Sequence, residues 1–135
     1  MISGSQLSGF FGELEKIAAL RDATQEDLSR YNIKDIKLKR GQQVKIDVEN
    51  GKFRGLAALK PSTGELTGLY VAPQYRRQGI ATSLLKSFSA QPTSAIQMAK
   101  NDKARGFYES QGFKETGSST DSRGTALSVM TRQQK

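Results

Sequence analysis

Residues 66–88 read LTGLYVAPQYRRQGIATSLLKSF, and this stretch decides how the rest of the chain is interpreted. The apolar run 69–72 is long enough for a buried strand and too short for a helix, and Pro73 ends it. A basic turn with small residues follows at 76–81. The apolar residues after it recur at helical spacing, at Ile80, Leu84, Leu85 and Phe88. The stretch therefore predicts a strand, a tight loop and a helix.

This arrangement favours binding of an anion. The first turn of a helix leaves amide hydrogens unpaired and carries roughly half a positive charge, so a phosphate there receives several hydrogen bonds at once. Gly79 and Ala81 keep large side chains out of the loop, and Arg76 and Arg77 add positive charge. A glycine beside two arginines also occurs in ordinary solvated turns. The flanking strand and helix favour the phosphate site.

Two motifs in this order resemble those of the GCN5-related N-acetyltransferases (GNAT). The acyl-CoA loop of that family has Arg or Gln, two residues, Gly, one residue, and Gly or Ala, which here is Arg76, Gly79 and Ala81. Further on, NDKARGFYESQGF resembles a second motif of the family, with matches at Asn101, Ala104, Phe107, Tyr108, Gly112 and Phe113. The resemblance covers about residues 64–114.

The resemblance implies a fold and a donor. The fold is a compact α/β domain of the α+β kind, in which a mixed, mainly antiparallel sheet of about six strands is flanked by helices and splays around a CoA site. The donor is acetyl-CoA, with no metal. The backbones of Leu69 and Val71 would hold pantetheine, and the amides from Arg76 to Ala81 would hold the pyrophosphate. The full set of implied CoA-binding residues is Leu69, Tyr70, Val71, Arg76, Arg77, Gln78, Gly79, Ile80, Ala81, Thr82 and Asn101.

Tyr108 is the predicted general acid toward the CoA sulfur. A phenol with a pKa near 10 can donate to a thiolate whose thiol has a pKa of about 8.5. A core tyrosine on an amphipathic helix is the alternative, as helix capping is for Asn101. Because the chain has no His, a carboxylate acting through water is the available base. Glu65 is the first candidate and Glu49 the second, although carboxylates at strand ends are ordinarily only solvated.

The composition bounds the chemistry. The chain of 135 residues contains neither Cys nor His, which excludes thiol nucleophiles, disulfides, histidine bases and most transition-metal sites. Residues 1–50 carry 8 basic against 8 acidic residues and residues 51–135 carry 13 against 5, so the net charge of +8 arises in the second part. A polyanion such as CoA suits that distribution. A plain basic surface and nucleic acid are the alternatives, and the scattered basic residues argue against nucleic acid.

The order of predicted elements fits one domain, 1–135. We expect N-terminal helices in 1–31, a strand meander in 42–72, a CoA-binding core in 73–114 and C-terminal strands in 113–131. Because the chain opens on a helix, the first strand of GNAT relatives is expected to be absent or displaced. Val44, Ile46 and Val48 alternate with polar residues, and the following Asn50-Gly51 predicts a hairpin.

Shorter predictions complete the chain. A helix spans 25–30 behind the cap Thr24, and residues 33–38 form a loop or an edge strand. A strand over 95–99 lies parallel to the strand over 66–72. Asp102 caps a helix that runs to about Ser110, and residues 118–124 are flexible by composition.

The sequence therefore predicts an enzyme that transfers acetyl from acetyl-CoA to a primary amine by direct attack. The acceptor would be a small-molecule or protein amine. The rival interpretation is a non-catalytic module with the same fold, which docks on a partner or on a second copy through an apolar helix from Leu7 to Ala18. No apolar run or N-terminal pattern suggests a membrane span or a signal peptide, so we expect a cytoplasmic protein.

Overall fold

The fold is a single seven-stranded sheet with three helices in the part of the chain that the computed structural model describes, residues 19–34 and 36–133. The strands are β1 (Ala19–Asp22), β2 (Gln43–Glu49), β3 (Lys52–Lys60), β4 (Glu65–Val71), β5 (Ser94–Met98), β6 (Lys114–Thr120) and β7 (Ala126–Thr131). The helices are α1 (Gln25–Arg30), α2 (Ile80–Lys86) and α3 (Asp102–Ser110). The strand order is β1-β2-β3-β4-β5-β7-β6, and only β4 and β5 pair in parallel. The predicted mixed, mainly antiparallel α/β fold is confirmed, with seven strands instead of about six.

The additional strand is β1, so the prediction that the first strand is absent or displaced is wrong. Residues ALRD pair antiparallel with β2, from Ala19 opposite Val48 to Asp22 opposite Lys45. Four residues are too few to show a period-two pattern, and the strand forms because β2 offers an edge. The predicted helix from Leu7 to Ala18 lies outside the described residues.

The predicted hairpin is confirmed, and its turn follows from two residues. Asn50 and Gly51 both have positive φ, at 53° and 70°, as a two-residue type I′ turn requires. The predicted helix over 25–30 and the parallel placement of β5 beside β4 are confirmed as well. Residues 33–38 form a loop without a strand where the structure describes them.

Two smaller predictions need correction. The N-cap of α3 is Asn101, whose side-chain oxygen accepts from the Ala104 amide at 3.1 Å, and not Asp102. Strand β6 continues to Thr120, so only residues 121–125 form the turn before β7. Composition suggested flexibility over 118–124, but pairing with β7 orders the first part of that segment.

The two faces of the sheet are covered differently. Alternate residues of a strand point to opposite faces, so Ala57 belongs to one buried cluster and its neighbours Leu56 and Ala58 to another. We call the first the helix face, because α2 and α3 cover it with Leu84, Leu85 and Tyr108. The second is the loop face, which α1 and the loop 33–42 cover with side chains that include Leu28 and Ile36.

Candidate active site

The centre of the candidate site is a gap between β4 and β5. Leu66 pairs with Leu59 and Gly68 with Ala58, which leaves Thr67 as an extra residue in β4. Such a bulge bends the strand that carries it. The last pair between β4 and β5 is Leu66 with Ala95, so the two strands separate where the bulge begins.

Hydrogen bonds hold the bulge in place. The Thr67 hydroxyl donates to the carbonyl oxygen of Ala58 at 3.3 Å and accepts from the side-chain amide of Gln42. The bulge also exchanges the faces of the residues after it. Leu69 and Val71 pack on the helix face, whereas Tyr70 points to the loop face and is 47% exposed.

The far half of β4 turns backbone groups toward this gap. The Ala72 amide donates to Arg54 of β3 at 2.8 Å. Backbone groups of successive strand residues point to opposite edges, so the amides and carbonyls of Leu69 and Val71 face away from β3. The Val71 carbonyl accepts from Arg76 Nε at 3.0 Å. The Leu69 groups face the gap directly, which is the edge that an extended ligand can pair with.

The predicted phosphate loop follows β4 at once. Residues Pro73–Tyr75 form one 3₁₀ turn, Arg77 has a φ of 65° and Gly79 a φ of 79°. No side chain caps α2, and the first helical bond runs from the Ser83 amide to the Gly79 carbonyl at 3.0 Å. The amide hydrogens of the first three helix residues therefore have no helical acceptor. A Cβ built on Gly79 would meet nothing within 4 Å, so the loop is open at this point.

A cleft of about 750 Å³ joins the gap, the loop and α3. It brings together most of the residues predicted for the site, namely Leu69, Tyr70, Val71, Arg76, Arg77, Gly79, Ile80, Ala81, Thr82, Asn101 and Tyr108. Sequence reasoning missed Tyr75 and Lys103 as lining residues, and it quoted Ala104 and Phe107 only as motif positions. Helical spacing could have found Lys103 and Ala104, since they lie four residues before Phe107 and Tyr108 on the same helix.

Three predicted residues do not line the cleft. The Gln78 side chain donates back to the Gln74 carbonyl at 3.4 Å. Glu65 begins β4 opposite Ser94, where β4 and β5 are still paired, and six residues along a strand separate it from Val71 by about 20 Å. Glu49 pairs with Arg54 at 3.1 Å. The structure therefore brings neither candidate base to the cleft.

Tyr108 lines the cleft, and its ring is packed between two aromatic neighbours. Its centroid is 5.5 Å from that of Phe107 and 5.4 Å from that of Phe113, both edge to face. The side chain is 7% exposed, and burial raises the pKa of the phenol above its ordinary value of 10. Tyr108 is among the lining residues of the cleft, so its phenol can contact a ligand there.

The charged residues that line the cleft are all cations, Arg76, Arg77 and Lys103. An ion pair lies behind the loop that carries Arg76 and Arg77. Arg54 Nε contacts the Asp47 carboxylate at 2.6 Å, and the two side chains are 14% and 6% exposed. The Arg54 guanidinium also lies 5.9 Å from the ring centroid of Tyr75. This pair supports the turn from beneath and leaves the cleft itself cationic, which suits an anionic ligand.

Two parallel strands separate here beside a helix start without a side-chain cap, and this arrangement defines a class of domain. Comparison of the sequence with models of protein families identifies the class. The chain belongs to the acetyltransferase (GNAT) domain family, whose model matches residues 15–133. No curated protein sequence gives a significant match.

Solved structures share the fold. An acetyltransferase of the GNAT family from Bacillus cereus superposes with a TM-score of 0.69 at 18% identity, over 88% of this chain and 99% of that one. The ribosomal-protein-S18-alanine N-acetyltransferase of Escherichia coli gives 0.66 at 20% identity, over 86% and 93%. Arabidopsis thaliana Naa50, in complex with the bisubstrate analogue CoA-Ac-MVNAL, gives 0.65 at 18% identity, over 86% and 98%.

Over residues 19–34 and 36–133, no helix is long and apolar enough to cross a bilayer.

Proposed function

We propose that this protein binds acetyl-CoA in the cleft between β4 and β5 and catalyses transfer of the acetyl group to a primary amine. The observation that carries the proposal is the free edge of β4 beside the uncapped start of α2. Membership of the GNAT family and a relative bound to a CoA-containing bisubstrate analogue support the same donor.

The residues of the cleft fit acetyl-CoA from end to end. The backbone groups of Leu69 and the amide hydrogen of Val71 offer strand-like hydrogen bonds to pantetheine. The amides at the start of α2, with Arg76 and Arg77, offer donors and positive charge to the pyrophosphate. The Asn101 oxygen caps α3, which leaves its NH₂ group as a donor for pantetheine.

Bound acetyl-CoA would supply a thioester carbonyl for direct attack by a neutral amine and a thiol as leaving group. Tyr108 holds the proton that the departing sulfur needs. Because burial raises the pKa of Tyr108, its phenol stays protonated at neutral pH and donates a hydrogen bond as negative charge develops on sulfur. No carboxylate or histidine is among the described lining residues, so the proton that the amine nitrogen loses passes to water.

Calorimetric titration with acetyl-CoA tests the site. Gly79→Glu places a side chain and a negative charge where the pyrophosphate would lie, and we expect binding to weaken at least about a hundredfold, which corresponds to about 2.7 kcal/mol. Gly124→Glu is the matched control, because Gly124 has the same φ of 79° and equally open space and does not line the cleft.

Equal affinities of the two variants would move the donor site elsewhere. Absence of binding by the parent protein at millimolar acetyl-CoA would favour the rival interpretation, a non-catalytic module with this fold.

A further inference from the structure

An apolar patch lies beside the gap, on the loop face of the sheet. Tyr70, Ile96 and Leu38 are the large hydrophobic residues that are exposed in the described part of the chain, at 47%, 47% and 38%. Tyr70 points to the loop face because of the bulge. Ile96 points there too, since its neighbour Ala95 is buried on the helix face. The two side chains therefore flank the gap on the face that α2 and α3 leave open.

The loop 33–42 places Leu38 and a group of cations beside the same gap. Ile36 reaches Gly68, where its Cδ1 would lie 3.0 Å from an added Cβ, and Gln42 bonds to Thr67. The loop thus crosses β4 at the bulge. Four exposed basic residues lie along it, namely Lys34, Lys37, Lys39 and Arg40. The sequence sets one carboxylate against them, Asp35, which the structure does not describe.

The carboxylates of α1 and β2 are engaged elsewhere. Asp27 is 2.6 Å from Arg21, and Glu26 is 3.2 Å from Arg30 within α1. Asp47 and Glu49 both contact Arg54. Within residues 19–34 and 36–133, no ion pair involves the four loop cations. The loop therefore presents a net positive rim to whatever approaches the gap from this face.

The aromatic part of the patch is held rigidly. The Tyr70 ring is stacked on Phe53 with centroids 6.0 Å apart and an angle of 3° between the planes. A ring fixed in this way offers contact area to an apolar side chain at little entropic cost. A small polycation would be repelled by the four cations of the loop.

We propose that the acceptor is an acidic polypeptide segment, which docks on the basic loop 33–42 and lays an apolar residue next to its amine on Leu38, Tyr70 and Ile96. This inference rests on the proposed acetyl transfer and names the substrate class of that site. Charge complementarity selects the acidic segment, and the patch positions its amine at the opening of the gap.

Three peptides test the substrate class. Each peptide has a leucine next to its free α-amine. The peptides differ only in the stretch after the leucine, which consists of glutamate, glutamine or lysine residues. We expect kcat/KM for the glutamate peptide to exceed that for the glutamine peptide by about tenfold at low salt, and the advantage to shrink at high salt because exposed charges are screened. The lysine peptide should be the poorest acceptor.

Charge-reversal variants test whether the cations of the loop 33–42 cause the preference for the glutamate peptide. The double variant Lys37→Glu with Lys39→Glu should remove the preference for glutamate. Lys60→Glu with Lys86→Glu changes the net charge equally at exposed positions that do not line the cleft and should keep it. Ile96→Ser should lower kcat/KM for all three peptides without changing the affinity for acetyl-CoA.

Several results would overturn the inference while acetyl-CoA binding and acetylation of a simple amine remain. These are equal rates for the three peptides, preference for the lysine peptide or a polyamine, or a preference that both double variants lose. Nucleic acid that binds the loop without competing with the glutamate peptide would also overturn it. So would a dimer, or an occupant formed by residues 1–18, that covers the patch and blocks the peptide. Loss of acetyl-CoA binding by the parent protein would instead refute the proposed function itself.

Discussion

Gly55→Ala tests how closely α2 packs on β3 and β4 at the candidate site. The added methyl group would press on three residues of these elements. Gly55 lies in β3 opposite Val71. A Cβ built there would lie 2.9 Å from the carbonyl oxygen of Tyr70, 3.2 Å from Ile80 Cγ2 and 3.2 Å from Leu84 Cδ1. Tyr70 belongs to the strand with the free edge, and Ile80 is the first residue of α2. The side chains of Ile80 and Leu84 have no room to yield, since they are only 6% and 0% exposed.

Overpacking of this kind costs about 1–3 kcal/mol. For a domain of this size we expect the melting temperature to fall by about 4 °C per kcal/mol. The methyl group also pushes the start of α2 away from β4, so its amides and the strand edge no longer match one ligand. We expect acetyl-CoA binding to weaken by about three- to tenfold, which is of the order of one hydrogen bond.

Thermal unfolding and calorimetry measure the two effects, and Gly106→Ala is the matched control. Gly106 lies in the middle of α3, with nothing within 4 Å of an added Cβ and no positive φ. Alanine should stabilise that helix by about 1 kcal/mol and leave acetyl-CoA affinity unchanged. A Gly55→Ala protein that is as stable as the parent and binds acetyl-CoA equally well would refute the close packing of α2 on β3 and β4.

Three further predictions concern single side chains. Tyr108→Phe should lower kcat by about 10²- to 10⁴-fold with little change in acetyl-CoA affinity. In the parent, the raised pKa of Tyr108 should keep the phenol protonated up to pH 10, so a loss of rate centred near pH 8 would assign that step to another group. Burial alone would raise the pKa of Asp27, but hydrogen bonds from Arg21 and Thr24 outweigh it and lower the pKa. The stability from Asp27 is therefore present above about pH 4 and lost as pH falls through the lowered value. Asp27→Ala should cost about 2–3 kcal/mol in chemical unfolding at pH 7, and the cost should shrink as pH falls through the lowered pKa of Asp27. Glu65→Gln should leave kcat within about twofold, because Glu65 lies about 20 Å along β4 from the cleft end, and a large loss would restore it as a base.

The features that the sequence predicts well are those fixed by neighbouring residues. Asn50 and Gly51 determine the hairpin turn because few other residues adopt positive φ. Gly79 and the apolar spacing behind it determine the loop and α2 in the same local way. Most of the predicted CoA-binding residues accordingly line the cleft, although their roles remain proposals.

Features that depend on pairing between distant segments could not be predicted in this way. Strand β1 exists because β2 offers it an edge, and nothing within ALRD indicates a strand. The position of Glu65 shows the same limit. Its place at the start of β4 follows from the sequence, but the end at which the sheet opens is set by the pairing of Leu66 with Ala95. At the closed end, the Glu65 carboxylate does not reach the cleft.

The bulge at Thr67 connects these observations, because one residue determines both the opening of the sheet and what faces the opening. Side chains alternate along a strand, so an extra residue exchanges the faces of all that follow. Without it, Leu69 and Val71 would point to the loop face and Tyr70 would point beneath α2. The same extra residue bends β4 away from β5 and frees the strand edge beside the loop 76–81. The free edge of β4 and the apolar patch are therefore not independent features, and a change that removed the bulge would remove both.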